Sequence, residues 1–432
     1  MNNQGAENIK CPKKTLVINF RGLKIGGIEV YLSKLIQYST SNNYRVIWLT
    51  SKKCYSENHF PKIVDHPLVE KVFIRGGGQR WMPHKRIKFH PDEDVTMFSV
   101  DPINFMKGEQ IRQYAKKVKS FNHFLVMPHF TGLPYYPERT FKCKIIHNYW
   151  YKFMKKFAKK LVDNDCIRAY SLKHLDAYEE SYGVKIENKP EKVLKKINEI
   201  PEYDEKYFED KARSRDESFE IVTCTRFDFP HKGFLLGLLS DYEKLKKEYP
   251  HIKLTIIGYG NDEAVLQEKI RELSKEAQED ITLVGKVSPQ DLHSYFEKGH
   301  LNIGLAGALF DGAICALPSL CVRHFTENCE TYGFISDMEG TYLRDEPAMG
   351  IKPFIEKMIT IDLDNYINQA KRDFERAKSV KTNQPNYIFE QKNKERKSTI
   401  QGFGRLKAQI FNLSLIMSRI VKRIFKRRSD VK

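Results

Sequence analysis

Residues 15–49 read TLVINFRGLKIGGIEVYLSKLIQYSTSNNYRVIWL, and the order of features within them decides the fold class. Residues 15–20 (TLVINF) are a short apolar run of strand type, followed by the loop Arg21-Gly22-Leu23-Lys24-Ile25-Gly26-Gly27. Ile28, Leu32, Leu35 and Ile36 then recur at helical spacing, and residues 44–49 (YRVIWL) are strand-like again. A strand, a glycine loop, a helix and a second strand in this order begin a parallel sheet, because parallel neighbours need a crossover and a helix supplies it.

Outward from this unit the alternation continues. Residues 124–127 and 144–147 are short apolar runs read as strands; residues 52–120 show no clear period, and Gly76-Gly77-Gly78 marks a turn. A polar, charged stretch at 187–218 reads as a linker, after which the pattern restarts. Strands are expected at 220–225, 253–258 (KLTIIG), 281–285, 300–305 and 319–322. Helices are expected at 234–249, 262–275, 289–298 and 309–316. The chain is therefore predicted to be α/β, with two doubly wound Rossmann-like domains at 1–190 and 215–380 and a tail at 391–432. Ligands of such a pair are expected in a central cleft faced by the carboxyl ends of both sheets.

Composition fits this picture. At 432 residues, 41% hydrophobic and 30% charged, the chain is long enough for two cores and is neither disordered nor fibrous. No run approaches 18 uninterrupted apolar residues, so no spanning helix is expected, and residues 1–14 lack the apolar centre of a secretory signal. Eight cysteines without a CxxC pair read as reduced thiols of a cytoplasmic protein rather than a zinc or disulfide framework. The formal charge of +18 is unevenly spread: from Lys392 onward 13 basic residues face 2 acids, a net +11 in the tail alone. That distribution favours a polyanionic partner for the tail over a nucleic-acid groove along the body.

The chemistry-bearing segment is Arg226-Phe-Asp-Phe-Pro-His231-Lys232-Gly233, directly after the first strand of the second domain. An arginine and a lysine six residues apart across a strand-to-helix turn can grip one polyanion, with helix N-terminal amides as further donors. The next strand ends in Ile257-Gly258-Tyr259-Gly260, glycines where backbone comes close to something flat. Two D-x-D patterns, Asp92-Glu93-Asp94 and Asp362-Leu363-Asp364, do not sit at the ends of apolar strands, and no metal requirement is expected.

In order, these pieces resemble the family 4 retaining glycosyltransferases of GT-B architecture. The series is Thr225-Arg226…Lys232-Gly233, Ile257-Gly258-Tyr259-Gly260, Leu283-Val284-Gly285, then Leu309-Phe310-Asp311 running to Ala316-Leu317-Pro318. Gly26-Gly27-Ile28-Glu29 is similar to that family's first glycine loop. The resemblance implies a GT-B fold in which Arg226 and Lys232 bind the donor diphosphate and stabilise it as it leaves. It also implies that Gly26, Gly27, Gly258 and Gly260 line the donor and that Asp311 holds its ribose. The family's other acid falls at Ile303, which cannot hold a donor sugar. His129, after Met127-Pro128, matches the family's active-site histidine, and His147 is a further sugar or acceptor contact at the next strand end. No cofactor is implied beyond a nucleotide-sugar co-substrate, expected to be a UDP sugar.

In the tail, Leu406, Ile410, Leu413, Met417, Ile420 and Ile424 recur at spacings of four and three, with Arg405, Arg419, Arg423 and Lys426 on the other side. This basic amphipathic helix fits an anionic membrane surface or, alternatively, packs on the body or on a partner's helix. The function implied is hexosyl transfer from a nucleotide diphosphate to a hydroxyl of a lipid-linked or polysaccharide acceptor. Cell-surface polysaccharide synthesis, as of a capsule or exopolysaccharide, at the inner face of the membrane is the expected setting. A catalytically inactive partner subunit and a GT-B nucleotide-sugar epimerase fit the same pattern.

Overall fold

Leu16, Val17 and Ile18 are fully buried in β1 (Lys14–Asn19), the central strand of the first sheet in the computed structural model. The structure describes residues 13–20, 22–23, 27–74, 87–115, 117–127, 144–288, 291–338 and 347–393, with positions 410, 413, 414 and 417. Two compact units divide the chain: Met1–Ile197 together with Gln384–Lys432, and Asn198–Asn383.

In the first unit, β1 is flanked by β2 (Arg45–Thr50), β3 (Val69–Phe73), β4 (Asp94–Ser99), β5 (Ser120–Met127) and β6 (Ile167–Ala169). Their order is β3-β2-β1-β4-β5-β6, all parallel, so the order reverses between β1 and β4. α1 (Gly27–Ser41) turns Tyr31, Leu32, Leu35 and Ile36 onto the sheet, as its spacing required. α2 (Pro102–Tyr114) starts at Asp101, whose carboxylate accepts the Asn104 amide at 2.7 Å. α3 (Lys144–Asp163) and α4 (Leu172–Tyr182) follow, and Gly183 ends α4 at φ 59. The short β7 (Lys196–Ile197) closes this part of the chain.

Three readings of the sequence change here. The strand expected at 144–147 is the first turn of α3, whose buried face (Trp150, Phe153, Met154, Phe157, Ala158, Leu161) sets a helical period over the whole segment. A four-residue apolar run cannot distinguish the two. The unread stretch holds β3 and the buried β4. The stretch read as a linker is built: it contains β7 and α5 (Glu205–Ser214), capped by Asp204 and anchored by Phe208 and Ala212 in the core of the second unit.

The second unit carries β8 (Phe219–Cys224), α6 (Phe234–Glu248), β9 (Ile252–Ile257), α7 (Glu263–Arg271) and β10 (Ile281–Gly285). It continues with β11 (Leu301–Gly304), α8 (Ala306–Ala313), β12 (Ser319–Val322), β13 (Glu330–Phe334), β14 (Met349–Gly350) and α9 (Leu363–Ser379). The order is β10-β9-β8-β11-β12-β13-β14, parallel through β12 and antiparallel at β13 and β14. β8 is therefore interior, which puts its carboxyl end where an open α/β sheet binds ligands.

After the second unit the chain rejoins the first. Ile388 is fully buried among Leu16, Ile18 and Leu35, and the Tyr387 hydroxyl accepts the Lys195 amide at 2.9 Å. Asn393 accepts the His123 amide at 2.6 Å and donates its own amide to Asn122 at 3.0 Å. Beyond it, positions 410, 413, 414 and 417 are helical. Among the described residues no helix is long and apolar enough to cross a membrane.

A candidate anion-binding site

The site grows out of the carboxyl end of β8. There the chain continues alongside the end of β9, with Thr225 donating to the Ile257 carbonyl at 2.9 Å and Phe227 to that of Tyr259 at 3.0 Å. The two segments run so close that a Cβ at Gly258 would strike the Thr225 carbonyl, and one at Gly260 the Phe227 carbonyl. These glycines thus have a structural reason in their own chain: they let the β8 loop lie against β9 with Phe227 fully buried. Asp262 holds the loop further on, accepting the Phe229 amide at 2.7 Å. Lys232 then donates its amide to Asp228 at 2.8 Å, and α6 opens at Gly233 with no side chain capping its first turn.

This course brings Arg226 and Lys232 to one strand-to-helix turn. The Arg226 side chain is 55% exposed and lies 3.9 Å from the Asp228 carboxylate, too far for a hydrogen bond. Lys232 is partly buried; burial first, and the Arg226 cation second, lower its ammonium pKa to about 8, with Asp228 opposing. Among the described residues its ammonium makes neither a hydrogen bond nor an ion pair. Two like charges, one of them desolvated, beside an uncapped helix start form a place that an anion stabilises.

Asp311 joins this edge, but not as the opening of a helix: it lies near the end of α8, which begins at Ala306. Gly312 allows the placement, because any Cβ there would collide with the Asn302 side chain, which bonds the Leu309 carbonyl at 3.0 Å. The Asp311 carboxylate accepts from Lys381 at 2.8 Å and from Asn198 at 3.1 Å, so part of its capacity is used within the unit. Burial, and then the Asp311 charge, push the Cys224 thiol at the end of β8 up to about 12, a mark of how near the carboxylate stands to that strand end. Ile303 is fully buried inside β11, and a single residue, Leu305, separates β11 from α8.

Sequence reasoning missed Lys381 and Asn198, which lie 70 and 113 positions from Asp311; nothing local marks either as its partner. It also missed Phe325, 59% exposed at φ 57, whose ring packs 4.6 Å from that of His231. A bulky residue in the left-handed region beside the β8–α6 turn is a strained placement.

The other expected site residues fall elsewhere. His147 sits on α3, its ring stacked 6.2 Å from Tyr151, so it ends no strand. Gly27 is the first residue of α1. Gly26 and His129 lie outside the described residues, although β5 runs to Met127, two positions short of His129. Of the D-x-D carboxylates, Asp94 binds Lys119 at 3.0 Å and Ser120 at 2.7 Å, and Asp362 caps α9 through the Asn365 amide at 2.9 Å. Among the described residues no cluster of three or more His, Cys, Asp or Glu is placed to hold a metal ion.

No protein-family model matches the sequence, and no curated protein matches it. Solved structures do match. HepE of Anabaena, crystallised with UDP, is 12% identical and covers 88% of this chain and 97% of its own at a TM-score of 0.54. A glycosyltransferase of Rickettsia africae, also 12% identical, covers 94% and 99% at 0.54. The fold is GT-B. The N-terminal domain of Candida albicans trehalose-6-phosphate phosphatase shares it at a TM-score of 0.52, with 12% identity over 89% of this chain and 97% of that one. Arg226 and Lys232 thus stand at the interior strand of the second Rossmann-like unit of a GT-B chain.

Proposed function

We propose that this chain is a glycosyltransferase that moves a sugar from a nucleoside diphosphate, a UDP sugar by preference, to a hydroxyl of a lipid-linked or polysaccharide acceptor. The observation that carries the reading is the pair Arg226 and Lys232 at the end of β8, with the Lys232 ammonium unpaired among the described residues. Departure of a nucleoside diphosphate builds negative charge, and two preplaced cations with the start of α6 offset it as it forms. Arg226 can bond two phosphate oxygens at once, whereas Lys232 acts as a point charge. Asp311 is the acceptor for the ribose hydroxyls, and Gly258 and Gly260 keep the strand ends low enough for the nucleotide to approach. HepE carries UDP in its crystal, which supports the choice of nucleotide. With Asp94 in an ion pair and Asp362 in a helix cap, the two cations are assigned the work of a metal; retention of configuration follows the family resemblance.

The acceptor side rests on the tail. Ile410, Leu413 and Met417 are 46, 55 and 61% exposed at helical spacing, so the apolar stripe is not covered at these positions. An anionic membrane surface, and through it a lipid-linked acceptor of cell-surface polysaccharide synthesis, suits that stripe and the +11 of the tail. A nucleotide-sugar-binding subunit without transfer activity is the second reading, favoured by Ile303 where the family has an acid.

Calorimetry with UDP and a panel of UDP sugars, followed by transfer assays in EDTA, tests both. Binding and transfer are expected to survive the chelator. Arg226→Ala and Lys232→Ala should each lower turnover about 10²-fold. Donor binding without turnover selects the second reading, and normal UDP affinity in both variants removes the diphosphate site from β8.

A further inference from the structure

The surface of α3 is divided along its length in a way its packing does not require. Its inner face is buried, while Ile145, Tyr149, Lys152, Lys156 and Lys159 follow one another at spacings of four and three along the outer face, a single line of neighbours. Ile145 and Tyr149 at the head of the line are 81% and 59% exposed, and Ile146 beside them is 44% exposed. The rest of the line is cationic. The helix carries six lysines against one acid, Asp163, which lies 3.7 Å from Lys159. Lys152 and Lys156 have no acidic partner among the described residues.

We infer that α3 is a docking surface for an anionic lipid bilayer, with Ile145, Ile146 and Tyr149 entering the interface and Lys152, Lys156 and Lys159 meeting the headgroups. Charge complementarity selects the occupant. A row of lysines seeks phosphate, and large apolar side chains beside it gain only from an apolar phase; a bilayer surface offers both within one helix length. A nucleic acid would satisfy the lysines and leave Ile145 and Ile146 in water. The first unit then meets the membrane through its folded body and not through the tail alone. This surface is independent of the transferase reading, because vesicle binding needs no sugar donor.

The test is co-sedimentation of the full chain with vesicles of phosphatidylcholine alone and of phosphatidylcholine with phosphatidylglycerol. Three sets of substitutions are compared: Lys152→Gln, Lys156→Gln and Lys159→Gln together; Ile145→Ser with Tyr149→Ser; and Ile410→Ser, Leu413→Ser and Met417→Ser in the tail. All three alter exposed side chains, and circular dichroism confirms that each variant is folded. The lysine set is expected to weaken binding to the anionic vesicles at least tenfold and to flatten its salt dependence. The Ile145 and Tyr149 set should reduce the binding that survives high salt. Parent-like binding in both α3 variants, with loss only in the tail variant, would overturn the inference. So would a parent chain that ignores vesicles, or α3 variants whose only change is a smaller oligomer by light scattering.

Discussion

On the proposed reading, Lys232 makes donor binding depend on pH. Its ammonium titrates near pH 8 because burial and Arg226 both disfavour the charge, and a bound diphosphate favours it. UDP affinity should therefore be full below pH 7 and fall as pH rises through 8 to 9, as the free ammonium loses its proton. Lys232→Arg, which stays charged, should flatten that profile in calorimetry across the same range. Asp311 and Lys381 provide a second test, because they share an ion pair unequally: the lysine side chain is fully buried and the carboxylate 32% exposed. Removing the acid strands a buried cation, whereas removing the lysine leaves a carboxylate that water can reach. Asp311→Ala should cost about 3 kcal/mol or more, and Lys381→Met distinctly less, in urea unfolding. The turn that carries Arg226 and Lys232 was legible from its place after an apolar strand, whereas Asp311, expected to open a helix, lies near the end of one. Lys381 was not legible, since its partner is chosen by folding.

At the scale of elements, the strands β1, β2, β8, β9 and β12 were legible as short apolar runs between turn residues. β3 was hidden because VEKVF is polar at its centre, as an edge strand can be, and α3 was misread because its first turn is apolar on the outside. That outward apolar turn is the same feature that gives α3 its docking surface, so the misreading and the function share a cause. The junction of β8 with β9 requires that Gly258 and Gly260 carry no side chain. Gly258→Ala forces a methyl onto the Thr225 carbonyl, and backbone on both sides must yield. A loss of about 1–3 kcal/mol is expected, read as a lower thermal midpoint together with weaker UDP binding as Arg226 shifts. An alanine variant with unchanged midpoint and affinity would mean that the two strand ends move apart freely.

At the scale of the whole molecule, the uneven charge is read directly from the sequence, but the return of the chain is not. Nothing in residues 384–393 marks them as part of the first unit; Ile388 and Asn393 find their places only once β1 and β5 exist. Because that segment is retained, a chain ending at Gly402 should melt like the full chain and still bind UDP. Its vesicle binding should drop, and that of the full chain should fall with salt to a residual level, as the screening length shortens to about 3 Å at 1 M. The same return sets an order in time. A ribosome makes residues 1–197, then the whole of 198–383, and only then Ile388 and Asn393. The unit that begins first therefore lacks a core side chain and a partner for the His123 amide until the later one has been fully synthesised. At about 5–20 residues per second the nascent first unit waits many seconds, incomplete, for its last piece. Vectorial synthesis thus finishes the second unit before the first, the reverse of the order in which their sequences begin.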